Sequence, residues 1–186
     1  LLKWNERMNL TGIIDPDEIV VEHFLNSLIL FENGEIGEKL TMIDIGSGAG
    51  FPGIPIKIIR PDIKIVLLDS LNKRIRFLKT VSEELGLTNI SIIHGRAEIF
   101  GRDNGYRDNF DFVVSRAVAP LKVLVEYCLP FVKEGGYFIA YKGPAAQNEL
   151  RESGNAIKTL GGKDPPQLKN VIVPFSPKTN NLIYLI

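Results

Sequence analysis

Asp44-Ile45-Gly46-Ser47-Gly48-Ala49-Gly50-Phe51-Pro52-Gly53 packs four glycines into eight positions, directly after an apolar run. Glycines so placed let a backbone come close to a ligand where a strand turns into a helix. A purely structural strand-to-helix turn also takes glycines, but four in this context point to a cofactor cradle. Charge narrows the choice of ligand. A pyrophosphate wants exposed N–H groups and no carboxylate beside it, yet Asp44 stands two residues before Gly46. The spacing is G-x-G-x-G rather than G-x-G-x-x-G, and no Gly-Lys-Ser/Thr follows to form a nucleoside triphosphate loop. A carboxylate at that point suits a ligand with a positive end, such as the ammonium and sulfonium of S-adenosylmethionine.

Two further segments extend this cradle. Asp69 closes a second apolar run 23 positions after Gly46, where a carboxylate can accept both hydroxyls of a ribose. Gly95-Arg96-Ala97-Glu98 follows a third such run, at the place an adenine edge would occupy. Alone, that segment reads equally well as a solvated helix start.

Other reactive residue types are sparse. The single cysteine, Cys128, lies between Tyr127 and Leu129 in a core-helix pattern and reads as structural. The two histidines, His23 and His94, would need carboxylates to make a zinc site, so no metal is expected. His94 ends an apolar run, as a satisfied structural histidine would. Arg96, Arg116 and Lys142 each sit just past a predicted strand end, the side on which such sheets bind ligands, and are candidates for contacting a phosphate-rich substrate. Arg116 and Lys142 show no obvious acidic neighbour. Lys73, Arg74, Arg76 and Lys79 form a second basic cluster that reads as a solvated helix face. Tyr141 or Phe51 could stack a base, or serve the core.

The elements that must position these groups alternate along the chain. Asp15-Pro16-Asp17-Glu18 starts a helix, with Asp15 capping and Glu18 completing a capping box. That helix should run to about Phe31, bury Ile19, Val20, Phe24 and Leu28, and end at Asn33-Gly34. Strands are predicted over 40–45, 63–69, 90–93, 110–114 and 137–141. Helices are predicted over 52–59, 73–85 (burying Ile75, Leu78, Val81 and Leu85), 120–129 and 145–160. Two last strands, 170–175 and 182–186, flank a turn and pair most cheaply antiparallel. Near-continuous apolar strands alternating with helices imply an α/β fold with a parallel sheet buried on both faces. Residues 1–36 read as an N-terminal helical appendage and 37–186 as one catalytic domain. Leu1-Leu2-Lys3-Trp4 looks like the interior of an amphipathic helix, which suggests a missing start.

Composition agrees with a folded domain. Of 186 residues, 45% are hydrophobic and 24% charged, which argues against disorder, collagen and disulfide scaffolds. The 22 basic and 22 acidic residues balance, so net charge favours neither a nucleic acid nor a small acceptor. No apolar run reaches the ~20 residues of a membrane span, and no signal peptide is visible, so a cytoplasmic location is expected.

Several runs carry a resemblance. Trp4-Asn5-Glu6-Arg7-Met8-Asn9-Leu10-Thr11, His23-Phe24-Leu25-Asn26-Ser27-Leu28, Asp44 to Pro55, Asp69-Ser70 with Lys73-Arg74-Ile75-Arg76-Phe77-Leu78, Gly95-Arg96-Ala97-Glu98 and Ser115-Arg116-Ala117 are similar to the bacterial ribosomal RNA small subunit methyltransferase G family. The family is also called glucose-inhibited division protein B. The resemblance implies a Rossmann-like class I S-adenosylmethionine-dependent methyltransferase fold: a mostly parallel seven-strand sheet with the last strand antiparallel. It implies methylation of N7 of guanine 527 in 16S rRNA, with the RNA or the small ribosomal subunit as partner. Separately from the resemblance, a monomer is the expected form. By position it implies cofactor contacts at Gly46, Phe51, Ala97, Glu98 and Arg116, with Asp69 on the ribose. The family's longer N-terminal helical portion is mostly absent here.

The acceptor atom can be approached by elimination. Pyrimidine C5 methylation usually takes a cysteine nucleophile, and Cys128 reads as buried. Exocyclic amines commonly need an Asp/Asn-Pro-Pro-aromatic clamp, where this chain has Ser115-Arg116-Ala117-Val118-Ala119-Pro120. Oxygen methylation wants a general base. Guanine N7 carries a free lone pair and needs only positioning, with Arg116 able to offer donors to O6 or a phosphate. A small-molecule methyltransferase and a non-catalytic nucleotide-binding module remain the competing readings.

Overall fold

The computed structural model describes residues 1–31, 37–163 and 165–186. Seven strands form one sheet: β1 (Thr41–Ile45), β2 (Lys64–Asp69), β3 (Ile90–His94), β4 (Phe110–Arg116), β5 (Val132–Lys142), β6 (Gln167–Val171) and β7 (Asn180–Leu185). Their order is β3-β2-β1-β4-β5-β7-β6. All neighbours pair parallel except β7, which runs antiparallel to both β5 and β6. The expected antiparallel end pair is present, with β7 inserted between β5 and β6. The order in which strands are added reverses between β1 and β4, and this switch point opens a crevice at the carboxyl ends of the strands.

Helices cover both faces, as a parallel sheet requires. On one face lie α4 (Gly53–Ile59) and α5 (Asn72–Glu84), whose Ile54, Ile56, Phe77 and Leu78 pack on Met42, Ile65 and Leu67 of the sheet. On the other lie α6 (Ala97–Phe100), α7 (Leu121–Cys128) and α8 (Ala146–Thr159). There Leu121, Leu124, Val125 and Ile157 pack on Ile43, Val113 and Phe138. Cys128 is fully buried in this layer, and burial pushes its thiol pKa well up, as an inert structural cysteine requires. Leu85 ends α5 as its C-cap and is half exposed rather than buried. The strand expected over 170–175 lies earlier, at Gln167–Val171, and Phe175 is 91% exposed. Among the described residues, no helix is long and apolar enough to cross a membrane.

The N-terminal helices lie on the α4/α5 face. Trp4 of α1 (Leu2–Met8) meets Phe77 edge-on at 5.7 Å, and Ile29 and Leu30 join the same core. Asp15 caps α2 (Pro16–Ile19) by accepting from the Glu18 N–H at 2.8 Å. Glu18 itself pairs with Lys178 at 3.3 Å, so the reciprocal half of the expected capping box is replaced by a tertiary ion pair. Beyond α2 the chain winds as a π-helix over Val20–Leu25, then as α3 (Asn26–Leu28) and a 3₁₀ turn over Ile29–Phe31. The wider π turn rotates the face presented to the core away from the one a 3.6-residue period marks. Val20 and Phe24, expected inside, are exposed, whereas Glu22, Asn26 and Ser27 are buried. The expected break at Asn33-Gly34 lies outside the described residues.

Candidate functional site

The glycine bend is shaped by the groups under it. Gly46 has φ +73°, and a Cβ there would lie 2.5 Å from Val118 Cγ2. Gly53 is barred differently: its Cβ would meet Leu67 Cδ2 at 2.4 Å and Asp44 Oδ2 at 2.8 Å. Only hydrogen fits at either position. Asp44 lies beneath the bend, fully buried, and accepts the Gly53 N–H at 3.0 Å through Oδ2. Its Oδ1 has no hydrogen-bond partner, and burial raises its pKa to about 7. The expectation that Asp44 faces a cationic ligand directly is therefore corrected: its carboxylate holds the bend from below and does not line the cleft.

Asp69 supplies the carboxylate at the cleft surface. It accepts the Gly48 N–H (2.9 Å), the Leu71 N–H (2.8 Å) and an Arg74 N–H (3.3 Å). A carboxylate offers about four lone-pair sites, so two ribose hydroxyls would fit once the long Arg74 contact yields. Arg74, assigned by periodicity to a solvated face, turns into the cleft, and its Nε is buried without a partner. Of its cluster, Lys73 donates to the Met8 carbonyl, while Arg76 and Lys79 are exposed.

Two adjoining hollows run along this edge. One, of about 240 Å³, is lined by Gly46, Asp69, Gly95, Arg96, Ala97 and Glu98. The other, of about 450 Å³, continues over Gly48, Phe51, Asp69 and Arg74 to His23 and Arg116. Gly46, Asp69, Ala97, Glu98, Phe51 and Arg116 thus all border one continuous crevice, and Arg96 lies at its far end. A cradle with no room for a Cβ, a carboxylate with spare acceptor capacity and an orphaned guanidinium donor together fit an adenosyl ligand with an amino-acid tail.

Arg116 ends β4 and divides this crevice from a third cavity of about 400 Å³, lined by Arg116, Lys142, Asn26, Glu22, Asn180 and Asn181 among others. One guanidinium nitrogen donates to the Glu22 carbonyl at 3.1 Å, and another approaches His23 Nδ1 at 3.2 Å. A guanidinium can only donate, so Nδ1 is the acceptor and the proton of neutral His23 sits on Nε2. Nε2 then donates to Thr11 Oγ1 at 2.7 Å, and that hydroxyl also accepts the Ile13 N–H. Burial and the Arg116 charge lower the His23 pKa to about 4. Phe51 backs the pair: its ring stacks on His23 at 4.8 Å and lies 5.3 Å beneath the Arg116 guanidinium. The Asn5-to-Thr11 run supports Thr11, because Asn5 Oδ1 accepts the Leu10 and Thr11 N–H groups and its Nδ2 donates to the Thr11 carbonyl.

Lys142 is not without an acidic neighbour. It pairs with Glu149 of α8 at 2.7 Å and donates to the Ala119 carbonyl, a partner that the strand pattern alone does not reveal. Tyr141 is buried and donates to the Ser27 carbonyl at 2.8 Å. His94 bonds the Ser70 carbonyl at 3.0 Å, so it is satisfied, though exposed. Sequence reasoning missed Asn26, Asn180, Asn181 and Arg74. The available signal was the polar set Glu22, His23, Asn26 and Ser27, which interrupts the apolar residues between Ile19 and Phe31.

A family model described as rRNA small subunit methyltransferase G matches residues 1–170. The chain belongs to this family. It is 54% identical over 185 residues to the ribosomal RNA small subunit methyltransferase G of Alkaliphilus metalliredigens (strain QYMF), covering 100% of this chain and 77% of the relative. Against the protein of that name from Clostridium botulinum (strain ATCC 19397 / Type A), identity is 53% over 181 residues, 97% of this chain and 76% of the relative. A SAM-dependent methyltransferase from Aquifex aeolicus superposes with TM-score 0.66 at 18% identity, covering 96% of this chain and 97% of the other. M. jannaschii TYW2 in complex with AdoMet superposes with TM-score 0.67 at 13% identity, covering 94% and 77%. The sheet is accordingly the Rossmann-like sheet of the S-adenosylmethionine-dependent methyltransferases, and S-adenosylmethionine is the cofactor of this methyltransferase family.

Proposed function

We propose that this member of the methyltransferase G family methylates N7 of a guanine in 16S rRNA, guanine 527 by family resemblance, as a cytoplasmic monomer. The observation that carries the choice of atom is the state of the groups around Arg116. His23 is neutral, and both its nitrogens are engaged. Cys128 is sealed in the core. Glu22 and Glu149 are tied to Lys178 and Lys142. Among the described residues that line the cavity beyond Arg116, none is a free base or nucleophile, which suits an acceptor atom that already carries a lone pair.

In this reading Gly46, Phe51, Asp69, Ala97, Glu98 and Arg116 hold the cofactor, which supplies an electrophilic methyl on a sulfonium. Asp69 takes the ribose, and the backbone from Gly46 to Gly50 lets the ligand lie close. Arg116 and Lys142 hold the acceptor nucleotide, with Arg116 donating to O6 or a phosphate and kept in place by Glu22, His23 and Phe51. Arg96 is exposed at the outer rim and takes an RNA phosphate. No metal takes part. Residues 1–36 act as the helical appendage that carries Thr11, His23 and Asn26 to the methyltransferase domain over 37–186.

The test is transfer of labelled methyl to small-subunit RNA or particles, followed by mapping of the product. Label at guanine N7 of 16S rRNA is the expected outcome. Label on another atom, or on small metabolites only, contradicts the reading.

A further inference from the structure

On the far side of Arg116 lie three asparagines, two of them bonded to each other, whose amide orientations can be worked out atom by atom. Asn180 Nδ2 donates to the Lys178 carbonyl at 3.0 Å, and a carbonyl can only accept. The Asn180 amide is thereby fixed, with Oδ1 turned to Asn26 at 2.7 Å. Asn26 must answer with its Nδ2, which leaves its Oδ1 as the uncommitted atom. Asn181 donates its Nδ2 to the Gly143 carbonyl at 2.9 Å, so its Oδ1 is uncommitted too. Both residues are more than nine-tenths buried, both line the 400 Å³ cavity, and neither oxygen accepts a hydrogen bond among the described residues. Neither oxygen is sealed off from the cavity, so a ligand seated there can donate to both, and one that excludes water without donating leaves them unpaired at a cost. The same cavity carries spare donors. Arg116 and Lys142 each use only part of their N–H groups on protein partners.

We propose that this cavity reads the acceptor base, with the amide oxygens of Asn26 and Asn181 accepting the N1–H and 2-amino protons of guanine and the Arg116 and Lys142 cations donating to its O6. The inference rests on the guanine reading above and names the residues that enforce it. Guanine offers donors at N1 and N2 and an acceptor at O6, the complement of this wall. Adenine presents an amino donor where O6 would be and a bare N1, so it would set N–H against cation and lone pair against carbonyl oxygen. A site built for hydrogen bonds rejects an analogue that leaves its groups unpaired. Arg116 and His23 line both this cavity and the cofactor crevice, so a base seated here lies across one side-chain layer from the cofactor cleft.

The test uses RNA substrates with guanosine, inosine or adenosine at the methylated position. Inosine is guanosine without the 2-amino group. Initial rates of methyl transfer and equilibrium RNA binding in the presence of S-adenosylhomocysteine are both read. Wild-type protein should prefer guanosine to inosine on the order of tenfold in kcat/KM, the loss of one hydrogen bond that strands a buried acceptor, and should reject adenosine more strongly. In Asn26→Ala or Asn181→Ala, whichever oxygen meets the 2-amino group, the guanosine-to-inosine ratio should fall toward one in both rate and binding. The matching Asn→Gln variant keeps both an amide donor and an acceptor and should restore part of the preference. Melting temperature and cofactor affinity near wild type certify the fold. Should either alanine variant melt early, its glutamine partner and the other position still report. Retention of the wild-type ratio in both alanine variants overturns the proposal, as does wild-type indifference to inosine. A wild-type protein that methylates no guanosine RNA instead defeats the guanine reading itself.

Discussion

The two halves of the crevice are built by different means. The half we propose for the cofactor is assembled from short, contiguous segments: one bend from Gly46 to Gly53, one carboxylate at Asp69 and one turn from Gly95 to Glu98. Its shape is set by backbone conformation and by what a Cβ would strike. The half we propose for the acceptor is assembled from residues 22–26, 116, 142–149 and 180–181, and side chains from four distant stretches set its chemistry. Arg116 is the hinge between them, bordering both. A local device tolerates change elsewhere in the chain, whereas a dispersed one depends on the packing of every element that contributes.

The largest effect that would separate the halves is expected from Gly46→Ala. The substitution imposes a left-handed conformation worth about 1–2 kcal/mol on a non-glycine residue and drives a methyl against Val118. Cofactor affinity measured by calorimetry should fall on the order of a hundredfold, while RNA affinity stays within about twofold. An equal loss of RNA binding would show that the halves are not separable. Asp69→Ala comes next. It strands the Gly48 and Leu71 N–H groups, costing about 1–3 kcal/mol of stability, and it removes the ribose acceptor, so cofactor affinity should fall on the order of tenfold or more. Unchanged affinity in a folded variant would remove Asp69 from the site.

This contrast also explains what could be read from residue order. The sheet, its antiparallel pair and the glycine bend were legible because each depends on local periodicity and glycine spacing. Asp44 was legible as important but not in its role, since spacing does not reveal that the carboxylate lies below the loop. The stretch at Val20–Leu25 misled because a π turn breaks the 3.6-residue period on which face assignment rests. The roles of Asn26 and Asn180 were hidden because they come from pairing across 154 positions, and that of Asn181 because its partner is the Gly143 carbonyl 38 positions away. The Lys142–Glu149 pair was hidden in a similar way, its members lying on different elements.

Arg116→Lys strikes the hinge. Lysine keeps the charge but cannot fork to both the Glu22 carbonyl and His23 Nδ1, so kcat should drop on the order of tenfold with stability changed by less than about 1 kcal/mol. A variant that loses stability but keeps its turnover would make Arg116 a structural residue.

The smallest effect is a pH profile. His23 has its pKa lowered from 6.5 to about 4, so its contribution to stability is complete above pH 6.5 and is lost as pH falls toward 4. Asp44 is raised from 3.8 to about 7, so its contribution is complete below pH 3.8 and is lost as pH rises through 7. The two slopes oppose each other between pH 4 and 6.5. In Asp44→Asn the His23 slope should emerge, with melting temperature rising from pH 4 to 6.5 more steeply than in wild type. Identical profiles for variant and wild type would contradict the buried state of Asp44.

The most direct measurement is a crystal structure with S-adenosylmethionine bound. The adenosyl group should lie along Gly46, Asp69, Ala97 and Glu98, with the transferable methyl turned toward Arg116 and the asparagine-lined cavity left open beyond it. A ligand seated among Asn26, Asn180 and Asn181, or a methyl pointing away from Arg116, would contradict the division of the crevice into a donor half and an acceptor half.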